Sequence, residues 1–325
     1  MAGKVGSASF GVLLVDGYNL LAAKVQTFTH KISAIMEKSD GLGDTTFAKT
    51  PVGVVQLEVT QAGAFFDDAA NGAHALLSPA GATAISRLLV AAFAGNTIGK
   101  PFLGVSGLYA SDYEVLSQTE KLTKANVKYD ATGSLDRGVI VQDHVAKTVD
   151  WNTKTDGFPV DYTLDSSQRV IPITSNSIAN PTVVTTPVPH GLTTGDKILI
   201  AGVATSAPTI NGERTVTVIS PTTFSVPVNV TTGGTGGSFV RSNSANGGVG
   251  YLAVSALSGF TGFIGKIRSS PDDVTYADLI TFANVTAAPA AQRVTVAGTV
   301  DRYLSFNGDV TGSGSITAFA GFSRS

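Results

Sequence analysis

The chain has no cysteine among its 325 residues, which excludes disulfides, thiolate metal centres and cysteine nucleophiles. Charge is also scarce. Asp, Glu, Lys and Arg make up 14% of the residues, well under the roughly one quarter of an ordinary soluble domain. Tryptophan occurs once, so the platforms on which a sugar ring could stack reduce to Trp151 and scattered tyrosines. No apolar run reaches the roughly 18 residues of a membrane span. The apolar stretch near the amino terminus is cut by Asp16-Gly17 and leads to no small-residue cleavage site, so no signal peptide is expected and a cytoplasm-like compartment is. Neither end is basic enough to be a nucleic-acid arm.

What is present is apolar residues, at 43%, and 36 glycines, with a formal net charge of −2. So little mutual repulsion leaves copies free to approach one another, and self-association is the first expectation. Period-two alternation dominates. Phe28, His30, Ile32 and Ala34 share one face against Thr27, Thr29, Lys31 and Ser33, and Val55, Leu57 and Val59 oppose Gln56, Glu58 and Thr60. The runs at 293–300 and 315–322 keep this signature between Gly, Asn and Asp turns. The chain is expected to be mainly β.

Two segments break the pattern. Ser78 as a cap, Pro79 at the first helical position, and Ile85, Leu88, Leu89, Ala92 and Phe93 at helical spacing before Gly95 predict one amphipathic helix flanking a sheet. A shorter helix is expected over 271–282, started by Pro271 and Asp272. Between Arg169 and Ser242 the composition shifts to Thr, Val, Pro and Gly, with Asp196, Lys197, Glu213, Arg214 and Arg241 as the charges after the boundary. This span, 169–242, reads as an inserted all-β module with 231–238 as its exit linker. The flanking parts are 1–168 and 243–325. The module is similar to small β modules that recur in structural proteins of bacteriophage tails.

Constellations that carry chemistry are hard to find. His30, His74, His144 and His190 stand apart, without metal-site spacing, and each reads as structural. The adjacent carboxylates Asp67-Asp68 and Asp272-Asp273 fit turns or helix starts better than an acid/base pair. The glycines near 233–237 lack the Lys-Ser/Thr of a phosphate loop. The sequons at Asn229 and Asn284 are expected by chance in so Thr-rich a chain. The expectation is no enzyme, no cofactor and no metal.

The amino-terminal third carries a resemblance. Asp16-Gly17-Tyr18 after an apolar strand, Asp44, Thr45, Thr46 and Phe47 in a loop, and Gly63, Phe65, Phe66 and Asp67 at the end of the next strand resemble the opening of tail tube proteins, the major tail proteins of long-tailed bacteriophages. The likeness continues through 135–145 and 247–306. Ala48 stands where the family's loop has glycine.

The resemblance implies a tail-tube-type β-sandwich or barrel with a flanking helix, assembling into rings that stack into the channel through which DNA leaves the capsid. The subunit would be made in the host cytoplasm and reside in the virion tail. Its partners would be copies of itself, tape measure and terminator proteins, and duplex DNA passing without specific binding. Rings of six copies, or of three copies each with two tube-like halves, are both open. The loop at 37–50 is expected to reach the neighbouring ring through Asp40, Leu42, Asp44, Thr45, Thr46 and Phe47, with Phe47 as anchor, and the module at 169–242 to face outward. A tail-associated adhesin or carbohydrate-binding protein is the alternative.

Overall fold

The computed structural model describes residues 9–38, 49–67, 72–78, 85–164 and 168–325 of the chain. In chain order, the first part holds β1 (Val12–Val15), β2 (Tyr18–Asn19), β3 (Thr27–Lys38), β4 (Lys49–Phe65), the helix α1 (Ala73–Leu77), β5 (Arg87–Ala92), β6 (Pro101–Leu116), β7 (Lys124–Ala131), β8 (Leu135–Lys147), β9 (Trp151–Asn152) and β10 (Val160–Asp161). The middle holds β11 (Ile171–Pro172), β12 (Ser175–Asn176), β13 (Thr182–Thr185), β14 (Lys197–Ala201), β15 (Gly212–Thr215), β16 (Thr217–Ser220), β17 (Thr223–Val226) and β18 (Ser238–Arg241). The last part holds β19 (Gly248–Ser270), β20 (Ala277–Thr281), β21 (Ala290–Val296) and β22 (Tyr303–Arg324).

The protein is mainly β, in antiparallel sheets. The first two strands form a hairpin whose two-residue turn, Asp16-Gly17, has φ of 49° and 87°, as a type I′ turn requires. A Cβ on Gly17 would lie 2.5 Å from the Val254 carbonyl oxygen, so the turn tolerates no side chain there. From this hairpin one sheet runs in the order β2-β1-β5-β6-β8-β22-β19-β20. Strand β6 also branches it: residues 101–105 pair with β8, and 108–116 pair with β7, which leads through β4 to β3. Among the described residues no sheet closes into a barrel, so the closed alternative in the sequence expectation is not met within one chain.

Strands β1 and β5 are sandwiched between two cores. Leu13, Val15, Leu89 and Ala91 point to one, with Leu57, Val59, Val127 and Tyr129. Val12, Leu14, Val90 and Ala92 point to the other, with Tyr251, Ala253 and Phe319. This overturns the expected amphipathic helix: Leu88, Leu89 and Ala92 lie in β5. A strand buried on both faces reads as a continuous apolar run, and such a run also satisfies helical spacing. The α-helix found among the described residues, α1, ends at Leu77, and Ser78 donates its N–H to the His74 carbonyl at its carboxyl end. Pro79 lies outside the described residues.

The helix expected over 271–282 is a turn followed by β20. Asp272 Oδ1 accepts the amides of Val274 and Thr275 at 2.9 and 3.0 Å, as a helix cap would. Asp273, however, takes φ 58° and turns the chain away, and 277–281 pair with β19.

Among the described residues, strands β11 to β18 pair only with one another, in two four-stranded sheets closed over a separate core that includes Val184, Ile198, Phe224 and Phe239. The glycine-rich stretch 231–238 is not an exit linker. Gly234 donates to Asn176 Oδ1 at 2.9 Å, Ala204 and Thr235 exchange backbone bonds, and a Cβ on Gly234 would meet the Ala204 carbonyl at 2.5 Å. Glycine serves close backbone approach here, inside the small sandwich. The chain leaves it through Arg241, whose N–H and carbonyl both bond the side chain of Gln168 at 3.1 and 3.0 Å. The two ends of the span thus lie side by side.

Candidate assembly surfaces

The six residues expected to contact a neighbouring ring, Asp40, Leu42, Asp44, Thr45, Thr46 and Phe47, lie outside the described residues. The strands that flank them are described. Among the described residues β3 pairs only with β4 over its twelve residues, so one edge of a long strand lacks a partner there. At the other extremity, again among the described residues, β20 and β21 each pair only with β19. Unpaired edges of this kind are templates for adding another strand, and soluble monomers usually blunt them.

The face of the branch β3-β4-β7-β6 is set by register. His30, Val59, Tyr129 and Ala110 lie across one row, and the next row brings Lys31, Glu58, Asp130 and Tyr109 to the opposite side. Val59 and Tyr129 are buried, whereas Lys31 and Asp130 are exposed. On the outward side Lys31 and Lys128 stand among Glu58, Asp112 and Asp130, with Lys128 and Glu58 paired at 3.1 Å. The result is a broad polar surface with opposed charges nearly in balance. Alternation made this side legible, although Ile32, placed by alternation with the apolar set, is 45% exposed on the edge strand.

The histidines are spread through the packing. His30 tilts over Phe93 at 5.5 Å, and burial, with Arg137 nearby, lowers its pKa. His74 bonds the Tyr113 hydroxyl at 2.7 Å, and His144 bonds the Ser255 hydroxyl at 2.7 Å. His190 accepts the Leu192 amide and bonds the Ser220 carbonyl. Among the described residues no group of three or more His, Asp and Glu is placed to hold a metal.

Trp151, the one candidate platform for a sugar ring besides the tyrosines, is buried. It stacks on Phe263 with ring centroids 5.4 Å apart and planes 6° from parallel, and donates its indole N–H to Gln142 Oε1 at 2.7 Å. It is a core residue.

A groove went unseen in the sequence. Ile98 and Phe158 wall two adjoining hollows of about 390 and 230 Å³, the larger carrying Asp143, Asp156 and Lys147. Burial raises the Asp143 carboxyl above its usual range, against the opposing pull of Lys147. Sixty residues separate Ile98 from Phe158, so no local pattern could bring them together.

No family model and no curated protein matches this chain. No helix among the described residues is long and apolar enough to cross a membrane.

Proposed function

We propose that this chain is a structural subunit of a bacteriophage tail tube, which joins copies of itself into rings that stack around a channel for DNA. The observation that carries the reading is an open, branched sheet in which, among the described residues, β3 ends one branch and β20 and β21 lie at the far side, each with one edge unpaired, besides the short β2 at the start of the path. Two different edges on one chain favour head-to-tail addition, which makes rings when the rotation closes. Closure would also remove the edges. The scarcity of charge fits a subunit that covers much of its surface with its own copies.

The polar face of β3, β4, β7 and β6 suits a conduit wall. Its lysines are matched by carboxylates, so it offers duplex DNA no phosphate-binding stripe, and cargo passes without being held. The small sandwich at 169–242 faces outward in this reading, because its compact core and adjacent ends let it stand off the tube. The loop with Phe47 supplies the contact between rings. In the cell the subunit belongs to the virion tail, after synthesis in the host cytoplasm.

The test is to concentrate the purified protein and image it by electron microscopy. Hollow tubes of uniform inner diameter, binding duplex DNA weakly at physiological salt, are expected. A protein that remains monomeric at every concentration, or tubes that bind DNA tightly with a steep salt dependence, would overturn the reading.

A further inference from the structure

A hollow of about 320 Å³ lies where the small sandwich joins the chain on either side of it, and we propose that it binds a carboxylate carried on a single sugar-sized ring, a ligand of the hexuronic acid class. Its lining brings Arg169 and Arg241 together with Tyr162 and the buried side chains of Ile171, His190 and Phe239. All of these belong to one chain, so the site does not depend on the tube reading.

The two arginines supply the charge. Arg169 donates Nη1 to the Pro189 carbonyl at 3.3 Å, and Arg241 donates Nη2 to the Gly191 carbonyl. Those carbonyls flank His190, so one short turn anchors both guanidinium groups. Among the described residues Nε and Nη2 of Arg169, and Nε and Nη1 of Arg241, have no hydrogen-bond partner. Asp196 is the one carboxylate there within ion-pair reach of either group, 3.8 Å from Arg241 Nη2. It is 1% exposed, and its oxygens already take the Thr193 amide and hydroxyl at 2.9 and 3.1 Å. Two guanidinium forks with spare donors therefore face one distant, buried counter-charge. Such forks match a planar carboxylate through paired N–H bonds.

The rest of the lining selects what carries the carboxylate. Ile171 and Phe239 are apolar, and both ring nitrogens of His190 are engaged, one by the Leu192 amide and the other by the Ser220 carbonyl. These three side chains offer carbon surface rather than donors. A bare anion gains little from such surface, whereas a pyranose ring has a C–H face to lay against it. The volume stands at the lower end of the range for small-molecule sites, which suits one ring rather than several.

The test is a ligand-observed NMR titration of the whole chain with glucuronate, glucose and inorganic phosphate. Glucuronate should bind with a dissociation constant of about 1 mM, which roughly thirteen non-hydrogen atoms reach at ordinary ligand efficiency. Glucose and phosphate should each bind about tenfold more weakly or worse. Arg169→Gln and Arg241→Gln should each weaken glucuronate about tenfold, the loss of one charge-assisted pair. Arg169 is exposed and makes a single long bond, so its variant should keep the parent melting temperature and decides the matter if Arg241→Gln unfolds. Failure to bind glucuronate, equal binding of glucose, or unaltered binding by Arg169→Gln would overturn the proposal. Phosphate bound as tightly as glucuronate would overturn it too, by showing that charge alone is read.

Discussion

Asp16 and Arg87 form an ion pair at 3.0 Å that fastens the turn of the first hairpin to the start of β5. Arg87 is only 7% exposed, and the other Asp16 oxygen accepts the Leu88 amide at 2.8 Å. One carboxylate therefore fixes the turn, the strand and a buried guanidinium together.

Asp16→Ala removes the partner of that guanidinium and an acceptor for the Leu88 amide. The expected cost is about 3 kcal/mol, because a nearly buried charge is left uncompensated. Urea denaturation measures it. A loss within the ~1 kcal/mol of an exposed pair would show that solvent replaces the carboxylate.

Gly308→Ala tests the packing around Trp151. The added Cβ would lie 2.5 Å from the indole ring, and the ring has no room to retreat because it is stacked on Phe263. Overpacking of this kind costs about 1–3 kcal/mol. With a single tryptophan in the chain, its fluorescence reports the site directly, and the emission should move to longer wavelength as Trp151 is displaced. An unchanged spectrum and an unchanged urea midpoint would show that the backbone of β22 yields instead.

Deleting 169–242 and joining Gln168 to Asn243 through a short Gly/Ser linker should leave the remainder folded. Gln168 already touches both sides of Arg241, so the linker has little distance to span. The excised strands pair only with one another among the described residues, and their core is their own. The deletion also takes away the 3.9 Å approach of Arg302 to Glu213 and the 2.8 Å bond from the Lys197 amide to Asn243. A cooperative melt and tubes of the same inner diameter but thinner outside are expected. Loss of tubes with the subunit still folded would make the module an assembly element.

The strand character of the chain was legible wherever one face of a strand is wet. Leu57 and Val59 are buried, while Glu58 and Thr60 beside them reach solvent in part, and alternation records that difference. It fails for β5, because Leu89 and Val90 enter different cores and no polar residue marks a wet side. It fails again at Asp272, where local capping chemistry promises a helix that Asp273 cancels through its backbone angle. Glycines at 233–237 read as a flexible linker because sequence does not distinguish freedom from close approach. The groove between Ile98 and Phe158 depends on tertiary folding alone, and the unpaired edges of β3, β20 and β21 depend on which strands find partners.

Asp161 gives the junction a dependence on pH. Its two oxygens accept Nε and Nη2 of Arg302 at 2.9 and 2.8 Å, and Oδ1 also takes the Thr163 amide and hydroxyl. Burial acts to raise its pKa, but the bonds from Arg302 and Thr163 outweigh burial and hold it below the usual carboxylate range. The unfolded-state value is near 4, about 3.9 for Asp. A folded-state value below that means that Asp161 adds stability above the unfolded pKa, and that this stability is lost as pH falls through the folded one. Asp161→Asn keeps the shape and removes the charge. Urea unfolding near neutral pH should show the variant clearly less stable than the parent chain, with the gap narrowing as pH falls below about 4. Because Arg302 also approaches Glu213 in the small sandwich, acid should loosen the junction before the core of the larger sheet, which hydrogen exchange at 160–164 would register. A gap that stays constant down to the acid transition would assign the effect to lost hydrogen-bond geometry rather than to the charge of Asp161.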